Sequence, residues 1–121
     1  MIITPELMVK EILASIAFYQ SLGFSVSAQF PENRPTFAVV KNDTAQLMLY
    51  QEADYRDEFP HLTNPIGGTV ALFINVDDIS DFYERLKTNV VKKLHQTDYG
   101  THEFAVLDPD GYTLIFSQEI K

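Results

Sequence analysis

The sequence predicts an α+β fold: two tandem βαβββ modules with pseudo-twofold symmetry, their mixed sheets curving around a cavity. Three observations carry this prediction. Residues 37–52 lie over residues 104–119 without a gap, and seven of those sixteen columns are identical. A helical fragment recurs as Phe18-Tyr19-x-x-Leu22 and Phe82-Tyr83-x-x-Leu86. Each half also shows the same order of periodicities: strand, helix, strand, strand, strand. Halves of about sixty residues are too long for solenoid units, so a duplicated module is the expected source of the repeat.

The elements follow in order. Residues 2–9 alternate as a first strand, with Ile3, Leu7 and Val9 on one face and Thr4, Glu6 and Met8 on the other. Residues 12–22 carry Ile12, Ile16 and Tyr19 on one helical stripe, and Gly23 is the expected stop. Residues 25–30 form a strand and residues 31–35 a Pro-bounded loop. Residues 37–40 and 45–51 then pair as a hairpin. The connector, residues 53–67, contains Pro60, Pro65 and Gly67, and four acids (Glu52, Asp54, Asp57, Glu58) lie in or next to it. In the second module, residues 69–76 alternate cleanly, and Asp77 or Asp78 caps a helix over 79–88. Residues 91–96 are a weaker strand. Residues 102–107 and 112–117 form the last hairpin around Asp108-Pro109-Asp110-Gly111, a strong turn signal. The expected organisation is one domain over 1–121, with modules at about 1–52 and 68–121.

Composition narrows the function classes. The chain has 121 residues, 45% hydrophobic and 21% charged, as in an ordinary globular domain large enough to bury a core. There is no cysteine, which excludes disulfides, thiolate metal sites and cysteine nucleophiles and suits a reducing cytoplasm. With no basic segment leading into an apolar stretch at the start and no apolar run of membrane-spanning length, a soluble protein without an export signal is expected. A net charge of −8 argues against nucleic acid and anionic membrane as partners and is compatible with a cationic ligand.

Register assigns side chains to faces. Taking Leu107 opposite Tyr112 puts Phe104 across from Ile115 and His102 across from Ser117. Ala105, Leu107, Leu114 and Phe116 then lie under the helix, and His102, Phe104, Val106, Thr113, Ile115 and Ser117 form the opposite face. The first half places Ala38, Val40, Leu47 and Leu49 under its helix. Phe37, Val39, Gln46, Met48 and Tyr50 take the other face, joined by Thr4, Glu6 and Met8. Thr69, Ala71, Phe73 and Asn75 join the corresponding face of the second half. That mixture of Phe, Met, Tyr, Thr, Gln, Asn and Glu suits a ligand-facing wall.

Ser15-Ile16-Ala17-Phe18-Tyr19-x-x-Leu22-Gly23-Phe24, Tyr99-Gly100-x-His102-Glu103-Phe104 and Asp108-Pro109-Asp110-Gly111-Tyr112 give the chain its resemblance to a known group. Over nearly its whole length it resembles the vicinal oxygen chelate superfamily, which includes glyoxalase I, bleomycin-resistance proteins, fosfomycin-resistance enzymes and extradiol dioxygenases. The resemblance implies that metal-dependent members hold their ion on the cavity face of four strands. Here those positions carry Thr4, Met48, Ala71 (or Thr69) and Ile115, none of which is a strong ligand for a divalent cation. His61, His95 and His102 show no ligand spacing. No metal and no other cofactor is therefore expected, and metal-dependent glyoxalase or dioxygenase activity is not.

The character of the chain is closest to the metal-free bleomycin-resistance-like branch, which implies a homodimer that sequesters an aromatic or cationic small molecule. The expected ligand-binding residues are Glu6, Phe37, Met48, Tyr50, Phe73, Tyr99, His102, Phe104 and Ile115, with the connector acids attracting a cation. Two alternatives stand beside this reading: a metal-free lyase or isomerase using His102 as acid/base, and a structural or regulatory dimer without a ligand.

Overall fold

The computed structural model describes residues 1–86 and 89–121. The last two residues of the expected 79–88 helix lie outside that range. The elements run β1 (Glu6–Val9), α1 (Ile12–Ser21), β2 (Ser25–Phe30), β3 (Phe37–Asn42), β4 (Ala45–Gln51), α2 (Glu52–Glu58), β5 (Ala71–Asn75), α3 (Ile79–Arg85), β6 (Val90–Gln96), β7 (Thr101–Leu107) and β8 (Thr113–Glu119). Two mixed four-stranded sheets result, ordered β1-β4-β3-β2 and β5-β8-β7-β6. In each, the first strand is parallel to the last and the other pairs are antiparallel. The predicted βαβββ repeat is therefore present twice. No helix among the described residues is long and apolar enough to cross a membrane. The chain divides into two units, Met1–Ile66 and Gly67–Lys121.

In the first unit, α1 buries Ile12, Ser15, Ile16 and Tyr19, an i, i+3/i+4 stripe. The helix packs on β3 and β4, whose Ala38, Val40, Leu47 and Leu49 are buried, and Leu7 and Val9 of β1 are buried as well. The helix stops at Gly23, whose φ of +102° suits a residue without Cβ. Gly23 N–H donates to the Gln20 carbonyl and Phe24 N–H to that of Tyr19, at 3.0 Å each, a Schellman closure. The Phe24 ring completes it edge-on to Tyr19 at 5.7 Å. In the second unit, Asp78 accepts from Asp81 N–H at the start of α3, and Ile79 is buried there. Phe82 and Tyr83 reach Phe116 and Phe104 at 5.4 and 5.1 Å between ring centres.

One clamp recurs in both units. Ile12 N–H donates to Gln51 Oε1 at 3.1 Å, while the Gln51 amide donates to the Lys10 carbonyl. Ile79 N–H likewise donates to Gln118 Oε1 at 2.9 Å, and the Gln118 amide donates to the Asp77 carbonyl. Gln51 and Gln118 occupy the same column of the sequence repeat. Each strand that ends a module thus satisfies an orphan donor at the start of that module's helix.

The two hairpins differ. In the first, Asn42 pairs with Ala45 and only Asp43 and Thr44 remain in the loop. In the second, Leu107 pairs with Thr113, not with Tyr112 as expected. Asp108 N–H donates to the Tyr112 carbonyl and Gly111 N–H to that of Asp108, which leaves three loop residues. Gly111 takes φ +88°, the left-handed position of a type I turn followed by a bulge. This one-residue change of register corrects the face assignment of β7. His102 (opposite Gln118), Phe104 (opposite Phe116) and Val106 (opposite Leu114) belong to the helix-bearing face. Ala105 and Leu107 turn to the open face, where Ser117 stays as expected but opposite Glu103, whereas Leu114 and Phe116 remain under α3. The identities Phe37/Phe104 and Ala38/Ala105 in the gapless repeat are out of structural register, and Phe104 takes the place of Ala38.

Candidate functional site: two open sheet faces

The open face of the first sheet follows the expected register. Glu6 stands opposite Met48, Met8 opposite Tyr50, Val39 opposite Met48 and Phe37 opposite Tyr50. Phe37 meets the Tyr50 ring edge-on at 5.7 Å. The connector, to which no helix or strand was assigned, opens with α2. Seven residues without an apolar stripe give no periodic signal for a helix, and tertiary contacts hold this one. Arg56 pairs with Glu52 at 3.0 Å and also donates to the carbonyls of Leu62 and Asn64, folding the following segment back.

α2 completes an aromatic and acidic cluster. Tyr55 stacks on Tyr50 with ring centres 5.0 Å apart and planes 27° apart. Phe59 meets Tyr55 at 5.7 Å, and His61 meets Phe59 at 6.1 Å. Tyr50 Oη donates to Glu58 Oε2 at 2.7 Å. That bond, together with desolvation and the charges of Glu58, Asp54 and Glu6, pushes the Tyr50 hydroxyl up to about 12. The Tyr55 hydroxyl is raised by burial and by Glu6 and Glu58. Glu6 is raised first by burial and then by Glu58. The shifts share one sign because burial raises all three groups and the neighbouring carboxylates add to it, with the Glu58 hydrogen bond leading at Tyr50.

The open face of the second sheet has a different composition. Phe73 pairs with Ile115, Ala71 with Thr113 and Asn75 with Ser117. Phe73 and Tyr99 are well exposed, at 56% and 69%. Glu103 is buried and accepts from Tyr99 Oη at 2.9 Å, Thr101 Oγ1 at 2.9 Å and Ser117 Oγ at 3.0 Å. Burial opposes its charge. The hydroxyls of Thr101, Tyr99 and Ser117, with His95 nearby, outweigh burial and hold the carboxyl below the usual carboxylate value.

Of the expected ligand residues, Glu6, Phe37, Met48 and Tyr50 gather on the first open face, and Phe73 and Ile115 lie on the second. Tyr99 reaches the second face through its hydroxyl bond to Glu103. Phe104 does not belong with them: it is 1% exposed, stacked on Phe116 at 5.1 Å in the core. His102 is on the same side as Phe104, and Ser117, its expected partner, is bonded to Glu103 instead. Two contributors, Tyr55 and Glu103, were not expected. Glu103 was legible in the Asp-Pro-Asp-Gly turn, because a Gly closing a three-residue loop shifts the pairing by one.

Thr4, Met48, Ala71 and Ile115 do not make a metal donor set. The Thr4 hydroxyl accepts from Gln46 Nε2 at 3.2 Å, and the other three side chains have no lone pair suited to a hard or borderline cation. Among the described residues, no group of three or more His, Cys, Asp or Glu side chains converges elsewhere.

Comparison with known proteins gives one family. The profile described as "Glyoxalase/Bleomycin resistance protein/Dioxygenase superfamily" matches residues 2–116. A bleomycin resistance protein of Geobacillus stearothermophilus is 28% identical over 130 residues, covering 97% of this chain and 96% of that protein. Among solved structures, TioX from Micromonospora sp. ML1 superposes with a TM-score of 0.78 at 16% identity, over 98% of both chains. A bleomycin-binding protein complexed with bleomycin gives 0.69 at 20% identity, also over 98% of both.

Proposed function

Starting from a chain that belongs to the glyoxalase/bleomycin resistance protein/dioxygenase superfamily, we propose that it is a metal-independent small-molecule-binding protein of resistance type. Its ligand is an aromatic or cationic compound that it sequesters without chemical change. The observation that carries this reading is the stacked Tyr50–Tyr55 pair bordered by Glu6, Asp54 and Glu58. Stacked rings supply dispersion and quadrupole attraction, and the carboxylates supply the charge that a flat cation lacks. The bleomycin resistance relative supports the drug-binding character. The residues at Thr4, Met48, Ala71 and Ile115 support metal independence. A homodimer in the cytoplasm completes the proposal.

Calorimetric titration of the full chain tests it, using bleomycin and N-methylacridinium, a planar quaternary cation without N–H groups. Saturable binding of either, weakened about tenfold or more by Tyr50→Leu or Tyr55→Leu, is expected. Absence of binding across such a panel favours a structural or regulatory dimer. Metal-independent turnover lost in His102→Ala favours the enzyme.

A further inference from the structure

Glu103 is buried as a carboxylate, yet the three donors holding it are all neutral hydroxyls. A buried charge is expensive, and proteins usually supply an ammonium or guanidinium bonded to it; here His95 contributes positive charge from nearby but bonds elsewhere. Among the described residues the two ion pairs lie elsewhere, at Arg56–Glu52 and Arg85–Asp81. His95 is the cross-strand neighbour of Glu103 but turns Nδ1 to the Lys93 carbonyl at 2.8 Å. The acceptor count is also unbalanced. Thr101 and Ser117 both donate to Oε2, whereas among the described residues Tyr99 alone donates to Oε1. A carboxylate has about four lone-pair sites, so one direction on Oε1 remains for a further donor. That oxygen is the one beside Tyr99, whose ring is exposed while its hydroxyl is anchored. A cation accepted by Oε1 would meet an aromatic face held in place.

We propose that Glu103 and Tyr99 form a second binding site, on the open face of the second sheet, for a ligand bearing a primary ammonium or guanidinium group. Thr101 and Ser117 are positioning residues: they fix the carboxylate and keep it charged, so that the N–H donor meets a preorganised acceptor. The proposal extends the small-molecule-binding reading to a site with a different requirement. The first face selects flatness and positive charge; the second selects N–H donors.

The test uses agmatine, an aliphatic guanidinium-amine that is a dication at neutral pH, with butane-bis(trimethylammonium) as a dication of matched charge and no N–H. Wild type is expected to bind agmatine saturably and to bind the bis-quaternary dication at least about tenfold more weakly. Glu103→Gln keeps the shape and should lose agmatine binding by about tenfold or more with its melting transition still cooperative. Agmatine should bind with the same affinity in the presence of saturating N-methylacridinium, which separates failure here from failure of the first face. Should Glu103→Gln not fold, the wild-type Glu103 carboxyl carbon resonance, followed during agmatine addition, must shift along the same isotherm. The proposal is overturned by equal affinity for the two cations, by undiminished agmatine binding in a folded Glu103→Gln, or by a carboxyl resonance that does not move.

Discussion

The two modules share a scaffold and differ by one loop residue. Gln51 and Gln118 make the same clamp, and Leu47 and Leu49 of the first sheet correspond to Leu114 and Phe116 of the second. The first hairpin turns on two residues and the second on three, closed by Gly111 at positive φ. That extra residue rotates β7 by one position. It sends Phe104 into the core and brings Glu103 to the open face. In a strand, where side chains alternate, a turn can thus exchange an aromatic for a carboxylate without altering the sheet. One face has become tyrosine-rich and acidic, and the other holds a single buried carboxylate among hydroxyls.

The largest expected effect tests that exchange. Phe104→Ala removes a ring enclosed by Tyr83 and Phe116, and should cost about 3–5 kcal/mol in urea unfolding. A cost typical of an exposed position would restore the other register. Gly111→Ala comes next. No atom lies within 4 Å of the added Cβ, so the cost is conformational alone, about 1–2 kcal/mol. A neutral result would mean that the turn does not need the left-handed residue. Gln51→Ala and Gln118→Ala should each lose about 1 kcal/mol by the same measurement. Unequal losses would show that the clamps are alike in geometry but not in energy.

The smallest effect has opposite signs in the two modules. Glu103 titrates below its usual value when folded. Its contribution is therefore present above the unfolded pKa and lost as pH falls through the lower, folded one. Glu6 titrates above its usual value, so its charge disfavours folding at neutral pH and protonation relieves that cost. Glu103→Gln should lower stability at neutral pH and reduce its fall in acid, whereas Glu6→Gln should raise it. Urea midpoints followed from about pH 7 to about pH 3 check both. Shifts of the same sign would place the two carboxylates in similar environments.

Most of the fold was legible because it rests on periodicity. The α1 stripe, the alternation of β5 and the faces of β3 and β4 all follow from spacing. The second hairpin was misread because the gapless repeat rewarded Phe37/Phe104 and Ala38/Ala105, identities that chance placed one residue out of register. α2 was missed for a different reason. Its residues carry no apolar period, and Arg56 holds it through bonds to residues that follow it. The site was legible where it depended on a correct face, at Glu6, Phe37, Met48 and Tyr50. It was missed where it depended on α2, at Tyr55, and where the loop length implied by the Asp-Pro-Asp-Gly turn was misread, at Glu103.

The most direct measurement is the titration of N-methylacridinium into wild type, Tyr50→Leu and Glu103→Gln side by side. The account predicts saturable binding to wild type, weakened about tenfold or more in Tyr50→Leu and unchanged in Glu103→Gln. Undiminished binding in a folded Tyr50→Leu would contradict it.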